Sequence, residues 1–463
     1  MKKDELLLNR KSGWDTLNKK EMKTLDGYTN EYIDFLNECK TERECVKYVE
    51  KLAKKQGFKE LDKCKTLKPG DKVYYINRDK NILLAVIGNE QLEKGINLIG
   101  SHIDSPRIDL KPNPLYESEG FALFKTHYYG GIKKYQWVTI PLEIRGVIIK
   151  TNGEKVEISI GKDKDDPIFV ITDLLPHLAR RQMEKKLSEG IEGEDLNILV
   201  GNIPSEDKEA NEKVKYNILK ILNEKYGITE ADFISSELEL VPNFEAKLVG
   251  FDKSMIAGYG QDDRVCSFAS AKAIMDLTEI PNKTCVAMLM DKEEIGSMGN
   301  TGMCSNTLDF MLMEMAVKLK QESYNLLNKL YINTKMLSSD VDAAFDPTFA
   351  GVSDPKNSSF IGKGICLLKY TGARGKSGSS EACAEYVAYV RKIFEDNNVR
   401  YQSGELGKVD EGGGGTIAYI VADKGADVID CGVPVLSMHS PYEVTSKHDC
   451  YMAYKGYKEF LKK

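Results

Sequence analysis

TCVAMLMDKEEIGS, residues 284 to 297, runs an apolar segment of strand length straight into a cluster of charged residues and a turn glycine. A short apolar run bounded by a turn is the pattern of a strand buried on both faces, which belongs to a sheet covered by helices. Adjacent residues at a strand end project in different directions, so of Glu293 and Glu294 one can ligate a metal while the other addresses its water. We read Glu293 as general base and Glu294 as ligand. A solvated acidic turn is the bland alternative; the buried strand before the pair and Gly296 after it weigh against that.

Outward from this strand the chain alternates. Helices are predicted over Arg264 to Leu277, Ser305 to Lys320, Ser380 to Phe394 and Lys447 to Leu461, with strands at Val428 to Gly432 and Pro434 to Met438. Upstream, Thr41 with Glu44 forms a capping box and starts a helix to Lys55. Strands follow at Lys72 to Asn77, Asn81 to Gly88 and Ile96 to His102, the first two flanking a polar link, Arg78-Asp79-Lys80. This order predicts an α/β layer sandwich whose central sheet carries a site at its strand ends. Between about Leu115 and Leu240 the texture is β-rich. Val147 to Ile160 carries Asn152-Gly153 between two alternating runs, a hairpin signal, and Gln136 to Ile144 and Pro167 to Thr172 are further strand candidates. A charged loop, Gly193 to Lys213, leads into a helix near Ala210 to Tyr226. We therefore expect a catalytic domain in two parts, 1–114 and 241–463, interrupted by an inserted β-rich domain, 115–240.

Composition narrows the function. The 463 residues are 41% hydrophobic and 29% charged with net charge -6, an ordinary globular balance with room for more than one core. Lysines and arginines are scattered rather than gathered in a stripe, so no nucleic-acid partner is expected. The ten cysteines form no CxxC pair and several sit in apolar runs, as reduced core thiols do. At the N-terminus the apolar run Leu6 to Leu8 is too short for a signal core, and no segment approaches the ~20 apolar residues of a membrane span. A cytoplasmic location, with no membrane association, is the expectation.

Four further motifs supply metal-ligand chemistry: SHIDSP (101–106), QDDR (261–264), SSD (338–340) and MHS (438–440). Each alone has a bland reading: a polar strand end, an N-cap, a turn former, a satisfied histidine. Together they hold two of the five histidines of the chain. His102 and Asp104, two apart at a strand end, face one space, and Asp104 can accept the proton-bearing ring nitrogen of His102 while the other nitrogen takes a metal. Asp262 has two oxygens and is the candidate bridge between two cations, with Asp263 a supporting or capping group. His102, Asp262 and Asp340 can hold one cation; Asp262, Glu294 and His439 the other. The charge of two divalent ions is balanced by three ligating carboxylates and a bridging hydroxide, which lowers the cost of burying the cluster. Such a pair, ~3.5–4 Å apart, generates hydroxide near neutral pH. Glu293 would take the proton of that water and pass it to a leaving amine.

GKS at 375–377 invites comparison with a phosphate-binding loop, but the first glycine of GxxxxGK[ST] would fall on Tyr370, so the pattern fails. The polar loop Thr371 to Ser380 is instead a substrate-side candidate, with Arg374 or Lys376 meeting anionic groups, and the glycine run 412–415, including Gly414, a surface that lets backbone approach substrate.

HIDSPRIDLKPNP (102–114), YYGGI (128–132), PHLA (176–179), DKEEIGS (291–297), SSDVDAAFDP (338–347), GGTIA (414–418) and LSMHSPYE (436–443) resemble, in order and over nearly the whole chain, the aspartyl aminopeptidase / aminopeptidase I family of di-zinc metallopeptidases. The resemblance implies a three-layer α/β sandwich around a mixed sheet with an inserted β-rich dimerisation domain. It also implies cleavage of N-terminal residues from peptides and a homo-dodecamer built from dimers. Carried over by motif, the metal ligands are His102, Asp262, Glu294, Asp340 and His439, the base Glu293 and the orienting acid Asp104. The cofactor is two divalent ions per subunit, zinc, with Mn or Co compatible with the same ligands. His177 in PHLA resembles a histidine that reaches a neighbouring subunit's active site. Two departures bear on specificity: Ala343 stands where a substrate-side histidine is found in eukaryotic members, and the lysine of acid-selective members has no clear counterpart around Thr371. The preferred N-terminal residue is thus open between acidic and neutral. Two rivals remain. A di-zinc carboxypeptidase or deacylase uses the same ligand types but usually carries its extra domain after the paired glutamates, and a catalytically silent assembly protein has no need of Glu293.

Overall fold

Ile82, Leu84 and Val86 pack into one apolar core while Leu83 and Ala85, between them in the chain, pack into another. A strand that buries both faces in this way lies inside a layered structure. The structure is a computed structural model that describes residues 6–8 and 11–463; the rest of the N-terminal stretch read above for a signal core lies outside the described residues. The strands of the main sheet are β1 (Lys59–Glu60), β2 (Lys72–Asn77), β3 (Asn81–Val86), β4 (Asn97–His102), β5 (Cys285–Met290), β6 (Lys335–Ser338), β7 (Ile365–Leu368), β8 (Tyr401–Ser403) and β9 (Asp427–Gly432). They lie in the order β1-β2-β3-β5-β4-β6-β9-β7-β8. The sheet is mixed: β4 runs parallel to β5 and β6, and β3 and β7 antiparallel to β5 and β9.

Helices in this unit are α1 (Lys19–Glu38), α2 (Glu42–Lys55), α3 (Gln261–Met275), α4 (Thr307–Leu319), α5 (Leu326–Ile332), α6 (Ala384–Asp396), α7 (Ala418–Ala422) and α8 (Lys447–Leu461). Residues of α1, α2, α3, α6 and α8 share the core with Ile82, Ile99, Leu289 and Leu337. Those of α4, α5 and α7 share the other with Leu83, Leu98, Met288 and Met336. This is the expected three-layer sandwich. The α2 boundaries follow from its capping box, in which Thr41 Oγ1 accepts from Glu44 N–H and the Glu44 carboxylate from Thr41 N–H. α3 is buried almost all round, as a helix does when covered on both sides. α1 is an addition to the expected elements; its own capping box, Asn18 with Glu21, is its sequence signal.

The chain divides into two compact units, one of Met1–Asp104, Ala246–Met438 and Glu443–Lys463, the other of Ser105–Glu245 with His439–Tyr442. The expected boundaries at 115 and 240 fall inside strands Arg107–Ser118 and Ser236–Pro242, whose ladder carries the second unit past both. Pro112 and Pro114 hide the first of these strands, since proline cannot donate to a ladder; the register shifts between Leu110 and Leu115, where they sit. The second unit is built on a seven-stranded antiparallel sheet. Its hairpin Leu142–Ile149 to Lys155–Ile160 turns at Gly153, with φ +86°. The strand expected over Gln136 to Ile144 begins only at Leu142, after Lys134–Gln136 forms a 3-10 turn, and the one expected over Pro167 to Thr172 shortens to Val170–Ile171.

Candidate active site

β4 and β5 are in parallel register with His102 opposite Met290, so residues 102–104 and 291–294 leave the sheet side by side. The His102 ring Nδ1 lies 3.0 Å from the Asp104 carbonyl oxygen and 3.3 Å from Asp104 Oδ1. A carbonyl can only accept, so Nδ1 carries a proton and Nε2 is turned to the acids: 3.1 Å from Asp262 Oδ1, 3.7 Å from Asp340 Oδ1 and 3.9 Å from Glu293 Oε2. The sequence reading gave the carboxylate of Asp104 the task that its own backbone carbonyl shares. That carboxylate also accepts the backbone N–H of Glu293 on Oδ1, at 3.1 Å, and that of Glu294 on Oδ2, at 3.2 Å. Asp104 therefore holds the histidine and the glutamate turn together.

The start of α3 departs from helical geometry at Asp262 and Asp263, joined by a cis peptide. Asp262 N–H donates to Glu443 Oε2 at 3.2 Å, while Asp263 Oδ2 accepts the backbone N–H of His102 at 3.2 Å. Ser267, one turn into α3, donates to the His102 carbonyl at 2.6 Å. Asp263 is thus more than a cap: it fixes the strand end that carries His102. Neither Glu443 nor Ser267 was singled out from sequence, because each is a single polar residue whose importance appears only when distant segments meet.

Three sets of side chains offer ligand atoms all within 4.8 Å of one another: His102, Asp262 and Glu294; His102, Glu293 and Asp340; and Asp262, Asp263 and Asp340. The cluster is strained electrostatically by itself. Burial pushes Glu293 up to about 8, with Asp340, Asp104 and Asp262 adding to the effect and His102 opposing it. Burial likewise raises Asp340, and it raises Asp263 well above the usual carboxylate range. Burial would keep His102 neutral, but Asp104, Asp262 and Asp340 draw a proton onto it and lift its pKa well above the ordinary histidine value. A divalent cation displaces such protons and relieves such repulsion. The buried Asp263 Oδ1, which makes no hydrogen bond, and the oxygen and imidazole character of the donors fit that group.

The other sequence candidates are placed as follows. His439 belongs to the second unit, where its Nδ1 lies 2.9 Å from the Gly131 carbonyl; a carbonyl can only accept, so that nitrogen carries a proton. His177 is exposed in the second unit, between exposed Leu175 and Leu178. Arg374, Lys376 and Gly414 are exposed around one loop: Gly414 accepts from Gly372 N–H at 2.7 Å, and Lys376 lies 3.0 Å from Glu381 and 3.9 Å from the Tyr370 ring centroid. A cavity of about 680 Å³ beside β8 and α6 contains none of the clustered acids or His102, so its size does not mark the chemistry.

Comparison with known proteins places this arrangement. The family model for aminopeptidase I zinc metalloproteases (M18) matches residues 35–461. A protein of Clostridium acetobutylicum described as a probable M18 family aminopeptidase 1 is 50% identical over 462 residues, covering 99% of each chain. The crystal structure of an M18 aminopeptidase from Thermotoga maritima superposes with a TM-score of 0.95 at 44% identity, covering 99% of this chain and 100% of that one. That of aminopeptidase I from Clostridium acetobutylicum gives 0.93 at 48% identity, with the same coverage. Similarity of this extent, carried end to end, leaves one reading: the chain belongs to the aminopeptidase I zinc metalloprotease family, M18, and is a peptide-bond hydrolase of the metallo-aminopeptidase type.

Proposed function

We propose that this enzyme removes single residues from the free N-termini of peptides at two divalent ions, zinc by family, held by His102, Asp262, Glu294, Asp340 and His439. The observation that carries the proposal is the convergence of His102 and Asp262 in overlapping ligand sets, each residue in two of them. When bound, the ion pair supplies Lewis acidity to the scissile carbonyl and makes the attacking water a stronger acid. Glu293 accepts the proton of that water and delivers it to the leaving amine, acting as base in the first task and as acid in the second. Asp104 keeps His102 in the Nδ1–H form and pins the amides of Glu293 and Glu294. The loop with Arg374 and Lys376, and Gly414 beside it, is the candidate contact for anionic groups of the substrate.

The finer biology follows the same reading. The inserted unit serves dimerisation and the dimers build a dodecamer; Leu174, Leu175 and Leu178, all at least half exposed around His177, support an interface there, since exposed apolar clusters mark contacts. His177 would then act across subunits. No helix among the described residues is long and apolar enough to cross a membrane, which accords with the proposed cytoplasmic site. The test is a panel of aminoacyl chromogenic substrates beside their N-blocked versions, before and after chelation. Cleavage of free amino termini alone, lost on chelation and restored by Zn, Mn or Co, is expected. Equal cleavage of blocked substrates would favour a deacylase, and inactivity of the zinc-loaded protein on every substrate would favour a silent scaffold.

A further inference from the structure

The hairpin tip between β2 and β3 lies far in sequence from the paired glutamates, yet two of its side chains grip the segment that follows them and a third reaches the residue that leads into them. Asn77 Nδ2 donates to the Asn300 carbonyl at 2.8 Å and to Thr307 Oγ1 at 3.0 Å, and Asn81 Nδ2 to the Thr301 carbonyl at 2.7 Å. Between them Lys80 extends its ammonium to 2.7 Å from Glu42 Oε1 and 3.8 Å from Asp291 Oδ2. Asp291 Oδ2 also accepts from Thr301 Oγ1 at 2.6 Å. Glu42 is fully buried, Asp291 1% exposed and the Lys80 side chain 12% exposed. Arg78 and Asp79 at the tip both have positive φ, +54° and +56°, the backbone of a tight hairpin turn. Arg43 next to Glu42 holds that turn from α2, 3.3 Å from the Arg78 carbonyl and 3.7 Å from Asp79.

Asp291 follows directly on the last residue of β5, two before Glu293. Its carboxyl is pushed up to about 6 by burial and by Glu42 and Asp104, and Lys80 is the cation that acts against them. Without that cation the strand end would lose the ion pair that ties it, through Glu42, to the hairpin and to α2. The paired glutamates issue from that strand end, and misplacement by ~1 Å at a catalytic group costs ~10²-fold in rate.

We infer that Lys80 is a positioning residue: bridging Glu42 at the start of α2 to Asp291 at the end of β5, it sets where the Glu293–Glu294 turn stands over the metal site. The inference rests on the function proposed above for those glutamates. It is tested in the full-length, zinc-loaded enzyme with Lys80→Met, Lys80→Arg and the charge-balanced Glu42→Gln/Lys80→Met, which removes the cation together with one buried anion. Three quantities are read: kcat against KM on the best aminoacyl substrate, zinc retained against graded chelator, and melting temperature. Expected for Lys80→Met and for the double variant is a fall in kcat of about 10- to 100-fold, with KM within about twofold and weaker zinc retention. Lys80→Arg, which keeps the charge, should recover most of kcat. A variant that only packs badly would lose melting temperature and leave the kcat of the surviving folded enzyme intact. If Lys80→Met fails to fold, the double variant decides. A folded variant without Lys80 whose kcat and zinc retention match the parent overturns the inference. If the parent cleaves no substrate, the proposed function fails instead, and zinc retention alone still decides the role of Lys80.

Discussion

Replacing Asp104 with asparagine tests how the site is held together. The carboxylate is fully buried and accepts two backbone N–H groups, from Glu293 at 3.1 Å and Glu294 at 3.2 Å. Asparagine keeps one acceptor oxygen but turns an NH₂ group toward the other amide, so one charge-assisted hydrogen bond becomes a donor facing a donor. Hydrogen bonds to charged groups contribute about 1.5–3 kcal/mol each, and an unsatisfied buried donor costs a similar amount. Taking about 2–3 kcal/mol as the part felt by the glutamate turn, and ~1.4 kcal/mol per factor of ten, kcat should fall by about 30- to 150-fold. The His102 tautomer should survive, because its Nδ1 proton is shared with the backbone carbonyl of Asp104 at 3.0 Å, which the substitution leaves in place. Steady-state kinetics at saturating zinc, with zinc content measured on the same samples, is the assay. A kcat within about threefold of the parent, with zinc unchanged, would show that the two amides need no anion and would refute the bracket role.

Glu293→Gln keeps size and removes the base; turnover should drop by at least ~10²-fold with bound zinc unchanged, and undiminished rates would remove Glu293 from proton transfer. Asp430, buried in β9 and 2.6 Å from Thr416 Oγ1, is pushed up to about 7 by burial, with Thr416 and Ser338 opposing and Asp340 reinforcing that shift. A folded pKa above the unfolded one means that the group's contribution to stability is complete below about pH 4 and is lost as pH rises through about 7. Asp430→Asn cannot charge, so its melting temperature should gain on the parent between pH 5 and pH 8; an equal gap at both values would contradict a buried, protonated Asp430.

Local chemistry made much of this molecule readable. The capping box of Thr41 and Glu44 set the start of α2, and Asn152-Gly153 set the turn of the hairpin. The apolar run before the glutamates is β5, buried at every position. What escaped notice depends on contacts between distant segments. Pro112 and Pro114 obscure a strand that survives by shifting register. Asp263, a supporting or capping group by sequence, supports: it holds the backbone of His102, 161 positions away, a partner that no local signal names. Glu443 accepts from Asp262 across 181 positions, and no periodicity or turn signal encodes a pairing of that span. The histidine and acid types of the cluster were legible because a cation demands them, as was Asp104 beside His102; Ser267 and Glu443 were not, because any polar residue at the right place would serve.

The carbonyl of Gly131 gives the inserted unit a chemical stake in the histidine that its own return segment carries. With that oxygen against Nδ1, His439 offers Nε2; with water there, either tautomer is open to it. A shortened chain engineered without residues 105–245 would lose that acceptor, whatever became of its oligomers. Insertion mutants that leave assembly intact but shift the backbone near Gly131 should therefore show altered metal uptake before they show altered size.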